Sequence, residues 1–106
     1  MKITDDHINE FKENGAVLLK GAFSEYVDSA RMAIDENIKK PSWRERTYRP
    51  DYGGQAFFQD YVVWNQFDGY RKLVKNSTMS EIAANLMNSN CARIFHDHIL
   101  VKEPGN

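Results

Sequence analysis

Two histidines one residue apart, His96 and His98, are the strongest chemical signal in this sequence of 106 residues. On a β-strand they project from the same side, roughly 6.5 to 7 Å apart. Two imidazoles at that spacing can converge on one metal ion, but a facial triad requires a carboxylate as well. Asp97 points to the opposite side of such a strand, and the remaining histidine, His7, lies far away near the amino terminus. The spacing therefore fits either an incomplete H-x-H metal site or, more commonly, a pair of hydrogen-bonded histidines beside a polar cavity. Lys102 falls on the same face. An ammonium there can hold the carboxylate of a small acid, or it can simply reach solvent from the strand end.

The element that must position these groups is a strand over Ala92 to Lys102, predicted from its alternation. One face carries Ile94, His96, His98, Leu100 and Lys102; the other carries Arg93, Phe95, Asp97, Ile99 and Val101. The Glu103-Pro104-Gly105 turn that follows predicts a partner strand, and an uncovered sheet edge open to self-association where none pairs.

Upstream, Thr4 or Asp5 can cap a first helix with Ile8 and Phe11 on one face, stopped at Asn14-Gly15. Ala16 to Leu19 reads as a short buried strand. A second helix starts at Ser24, with Val27, Ala30, Ile34 and Ile38 as its apolar stripe and Pro41 just beyond its end. Residues 41–55 form a polar, aromatic-rich loop. Phe57 to Trp64 suits a strand, and a short helix over Asp68 to Lys75 buries Tyr70, Leu73 and Val74. A last helix begins near Ser77 or Thr78, with Thr78 and Glu81 at capping-box spacing and Ile82, Ala83 and Leu86 facing inward. The fold class is α+β, with helices gathered in the first two thirds and a long final strand.

Composition narrows the function classes. Hydrophobic residues make up 42% and charged residues 27% of the chain, which fits one soluble globular domain. A net charge of -1 gives no electrostatic case for nucleic acid or an anionic membrane as partner. Arg44, Arg46 and Arg49 are offset by Glu45 and Asp51 and read as a solvated loop. The single cysteine, Cys91, cannot form an internal disulfide. No apolar run approaches a membrane span and no apolar leader opens the chain, so the expected location is cytoplasmic by default.

The closing segment, Arg93 to Gly105, resembles the strand before the iron-binding motif of phytanoyl-CoA dioxygenase-like proteins. Three upstream stretches agree in order: Phe11 to Leu19, Phe57-Phe58-Gln59-Asp60 with Trp64, and Ser80 to Met87. The resemblance implies a double-stranded β-helix (jelly-roll) flanked by helices, of which this chain supplies the amino-terminal helices and first strands as a single partial domain. It implies iron(II) and 2-oxoglutarate as cofactors and hydroxylation of a small-molecule substrate. By the same resemblance, His98, Leu100 and Lys102 are cofactor-binding positions and His96 is on the substrate side. The family's His-x-Asp iron pair follows the Lys-Glu-Pro-Gly turn, and no such segment occurs in these 106 residues. His96 and Asp97 are not that pair. No metal ligand or catalytic residue is therefore assigned, and the chain by itself is expected to be inactive. The alternative is a small non-catalytic α+β binding or interaction module.

Overall fold

Thr4 starts the first helix by accepting a hydrogen bond from the His7 amide, while His7 Nδ1 accepts one from the Thr4 amide. This reciprocal box satisfies two amides that the first turn leaves free. The helix, α1 (Asp5–Asn14), ends at Gly15, whose φ of 75° returns its amide to the Phe11 carbonyl. In the computed structural model, which describes residues 1–105, α1 is followed by a 3₁₀ turn (Ser24–Tyr26), α2 (Val27–Lys39), β1 (Phe57–Tyr61), α3 (Asp68–Asn76), α4 (Met79–Leu86) and β2 (His98–Lys102).

The α+β class holds, with two strands in antiparallel register: Phe57 faces Lys102, Gln59 faces Leu100, and Tyr61 faces His98. A third stretch lies on the other side of β1. Tyr48 and Phe57 exchange main-chain hydrogen bonds, and the Arg46 amide donates to the Gln59 carbonyl. Main-chain groups of alternate residues point to opposite neighbours. Phe58 and Asp60 therefore bond to Val101 and Ile99, leaving the main chain of His98, Leu100 and Lys102 turned to the far edge of β2. No strand pairs with that edge among the described residues.

The core is small. Ala33, Val63, Phe67 and Tyr70 form its centre, with Ile34, Trp64 and Ile99 packed against them. α3 crosses α2 at Gly69, where an added Cβ would fall on the Ser29 carbonyl oxygen and press on Ala33. The Cα radius of gyration is 16.2 Å, above the about 13 Å typical of a compact chain of this length.

Several expected elements differ. Ala16 to Leu19 is not a strand, and Leu18 is 73% exposed. The buried side of α2 carries Ala33 and Asn37, with Ala30 and Ile34 half-buried, while Val27 and Ile38 face outward. The apolar stripe is thus rotated toward a polar residue that finds partners in the core. Thr78 stands at the N-cap of α4 without a side-chain capping bond, Ser77 Oγ accepting from the Met79 amide instead, and α4 carries the helices beyond the first two thirds. β1 stops at Tyr61, and β2 begins only at His98.

Candidate functional site

The late start of β2 has a local cause at Asp97. Its carboxylate accepts hydrogen bonds from the Val63 amide (3.1 Å) and the Trp64 amide (3.0 Å), and its carbonyl accepts from the Val62 amide (3.2 Å). Val62 has a φ of 53°, a left-handed conformation that a β-branched residue adopts only under constraint. Asp97 is the clamp that holds this turn and joins the ends of β1 and β2. Residues 92–97 therefore leave the sheet rather than extending it.

This separates the two histidines. His96 lies outside the strand, exposed, with its ring edge-on to Phe95 at 4.9 Å. Phe95 is itself 93% exposed. His98 opens β2, stacks on Tyr61 at 4.1 Å, and places Nε2 3.3 Å from Gln59 Oε1. Gln59 Nε2 donates to the Arg46 carbonyl, which fixes the amide's orientation, and Oε1 also accepts from the Tyr61 hydroxyl. His98 Nε2 is therefore the donor in its pair with Gln59. Nδ1 of the neutral ring is an acceptor, and it becomes a donor only in the imidazolium.

His98, Leu100 and Lys102 do share one exposed face. Directly paired residues of an antiparallel sheet lie on the same side, so Tyr48, Phe57, Arg46, Gln59 and Tyr61 join them. Sequence reasoning placed Phe57 to Trp64 in a strand but had no local signal for the register that brings Gln59 and Tyr61 against His98.

The opposite face contains a second polar cluster. Asp60 and Asn37 are both 0% exposed. The Asp60 carboxylate accepts from Asn37 Nδ2 (2.9 Å), the Ser42 amide (2.7 Å), Ser42 Oγ (2.5 Å) and the Tyr61 amide (2.8 Å). Asn37 Oδ1 in turn accepts from the Tyr70 hydroxyl at 3.1 Å. Burial acts to raise the Asp60 carboxyl, but the Ser42 amide and hydroxyl, Asn37 and the Tyr61 amide outweigh it and hold it below the usual carboxylate value. Burial, then the negative charges of Asp97 and Asp60, push the Tyr70 hydroxyl above its ordinary range, so it serves as a donor. Every oxygen of Asp60 is occupied from within the chain, which makes this cluster a brace between α2, the loop after it and β1. Its signal in the sequence was an aspartate two residues from Phe58, on the inward alternation of an aromatic strand.

Among the described residues no three histidine, cysteine, aspartate or glutamate side chains group as metal ligands. The carboxylate nearest the histidines in sequence, Asp97, is committed to two amides. The residues present therefore do not fit an iron triad. Two surface hollows lie elsewhere: one of about 530 Å³ beside Glu81, Asn85 and Ser89, and an apolar one of about 320 Å³ lined by Val74, Met79, Ala83 and Ile94. Among the described residues no helix is long and apolar enough to cross a membrane.

A scan against protein-family models, a search of curated proteins and a search of solved structures each find no match to this chain.

Proposed function

We propose that the outward face of β1 and β2 is part of the inner wall of an iron(II)/2-oxoglutarate oxygenase jelly-roll. On this reading the chain is the amino-terminal portion of a dioxygenase that hydroxylates a small molecule. One observation carries it: the three positions that the family resemblance assigns to the cosubstrate, His98, Leu100 and Lys102, lie in one exposed row along a sheet edge that no strand pairs with among the described residues. An exposed row of that kind is what a cavity wall requires before further strands close over it. No iron ligand is assigned among the described residues, so no oxygen chemistry is assigned to them.

What these residues can do is bind and orient an acid. The Lys102 ammonium offers a mobile charge to a carboxylate. His98 and Lys102 are four residues apart, about 13 Å along the strand, so the lysine stem must fold back over Leu100 to reach the same small ligand. His98 offers Nδ1 as a donor when doubly protonated, because Nε2 is already committed to Gln59. His96, outside the strand and exposed, is free to approach a ligand from the end of the wall. The second reading, a non-catalytic α+β binding module, is favoured by the same face, since its cations and rings bind without any metal.

Titrating the ¹⁵N-labelled chain with 2-oxoglutarate tests the proposal. Amide shifts should centre on His98, Leu100 and Lys102 and weaken several-fold in Lys102→Gln. The chain mixed with iron(II) and 2-oxoglutarate should yield no succinate. Absence of shifts at those three residues, or shifts indifferent to Lys102→Gln, removes the 2-oxoglutarate reading and leaves the binding module.

A further inference from the structure

The outward face of the sheet is larger than the row on β2, and its chemistry is not that of a site for a small aliphatic acid alone. The pairing of residues 46–48 with β1 sets Tyr48 beside Phe57 and Lys102 beyond it. One step along lie Arg46, Gln59 and Leu100, and then Tyr61 stacked on His98. Three aromatic rings thus share a surface with Arg46, Lys102 and His98. Tyr48 is 55% and Leu100 is 53% exposed.

Among the described residues neither Arg46 nor Lys102 pairs with a carboxylate within 4.0 Å. Asp60 is turned into the core, where four donors surround it. Glu45 accepts from the Thr47 amide and pairs with Arg49 at 3.8 Å. Those contacts, the Thr47 hydrogen bonds first, hold the Glu45 carboxyl below its ordinary value. The Arg46 guanidinium donates through Nη1 to the Arg44 and Glu45 carbonyls, which anchors it at the rim with its other donors uncommitted to those carbonyls.

From this we infer that the outward face binds a small ligand that combines a flat aromatic ring with an anionic group, phosphate or carboxylate. The ring lies on the Tyr48–Phe57 side, and the anion lies against Lys102, across Phe57 from Tyr48. Exposed rings on a sheet stack planar groups with little regard to their substituents. A cation beside them selects for negative charge. The inference rests on the proposed use of this face as a ligand wall and names the class of substrate it takes. Gln59, tied to Arg46, Tyr61 and His98 at once, holds the platform rigid.

The test is a binding series on the ¹⁵N-labelled chain. The probes are adenosine 5′-monophosphate and 2-naphthoate (ring and anion), adenosine (ring without charge), ribose 5-phosphate (charge without ring) and 2-oxoglutarate. The expected result is that both ring-and-anion probes shift the Tyr48, Phe57 and Lys102 amides. Adenosine, which lacks the charge, should bind more weakly, and ribose 5-phosphate at least about fivefold more weakly, the lower bound for loss of one stacked ring. Tyr48→Ala should weaken adenosine monophosphate by a similar factor. Lys102→Gln, at an exposed position, should reduce it to the affinity of adenosine, and unchanged circular dichroism certifies the fold of both variants. Equal binding of ribose 5-phosphate and adenosine monophosphate overturns the inference, as does an affinity within twofold of wild type in Tyr48→Ala. Failure of both ring-and-anion probes while 2-oxoglutarate shifts His98 and Lys102 overturns the inference and leaves the oxygenase reading standing. Binding of the ring-and-anion probes without 2-oxoglutarate does the reverse.

Discussion

Replacing Asp60 by asparagine probes the brace that holds α2 to the sheet. Each carboxylate oxygen accepts two hydrogen bonds, one of them from a main-chain amide: Ser42 on Oδ2 and Tyr61 on Oδ1. An asparagine carbonyl can keep only one of those positions. Its amide group must then meet either the Ser42 or the Tyr61 N–H, and neither can rotate away. One stranded buried donor costs about 1 to 3 kcal/mol, and the surviving bonds fall from charge-assisted to neutral strength, about 1 kcal/mol less each. Asp60→Asn is therefore expected to destabilise the chain by about 3 to 5 kcal/mol, a large fraction of the stability of a small domain. Urea unfolding followed by tryptophan fluorescence reads this as a lower midpoint at unchanged slope. The acid limb gives an independent check. The folded carboxyl titrates below the ordinary value of 3.8, so the unfolded chain binds this proton more readily. Its contribution is present above that value and is lost as pH falls through the folded one. The wild-type chain should lose stability more steeply below the ordinary value than Asp60→Asn does. A midpoint within about 0.5 kcal/mol of wild type, the range of ordinary surface changes, or parallel acid limbs for the two proteins, would refute the brace.

Three further outcomes are expected. Asp97→Ala should cost about 2 to 4 kcal/mol, because it strands the amides of Val63 and Trp64 and releases the left-handed turn at Val62. His96→Ala should stay within about 0.5 kcal/mol of wild type by the same urea assay, and the opposite order would contradict the clamp. Leu100→Pro should reduce any concentration-dependent association seen by sedimentation while leaving the β1–β2 ladder intact. The Leu100 amide faces the open edge, where proline is tolerated and blocks strand addition. Association that persists in this variant places the contact elsewhere.

The placement of the expected positions was legible in part. His98, Leu100 and Lys102 share a face because alternation is a property of the strand itself, whatever surrounds it. His96 does not extend that row, because the strand's start is set by what Asp97 finds more than 30 residues earlier in the chain. The α2 stripe failed for a related reason. A purely apolar reading favoured Val27 and Ile38, whereas Asn37 enters the core because Asp60 and Tyr70 satisfy its side chain there.

The sequence by itself determined the features that act within about four residues: a capping residue at Thr4 or Asp5, the stop at Gly15, the existence of α3 and α4, and the alternation of β2. These follow from local hydrogen bonding and side-chain direction, which need no distant partner. Only the tertiary structure decided the pairing of residues 46–48 with β1, the register that sets Tyr61 and Gln59 against His98, and the placement of Asn37, Ser42, Asp60 and Tyr70 in one cluster. Each of these depends on which donors and acceptors meet after chain closure. A buried carboxylate or a strained valine is stable only once all its partners have arrived.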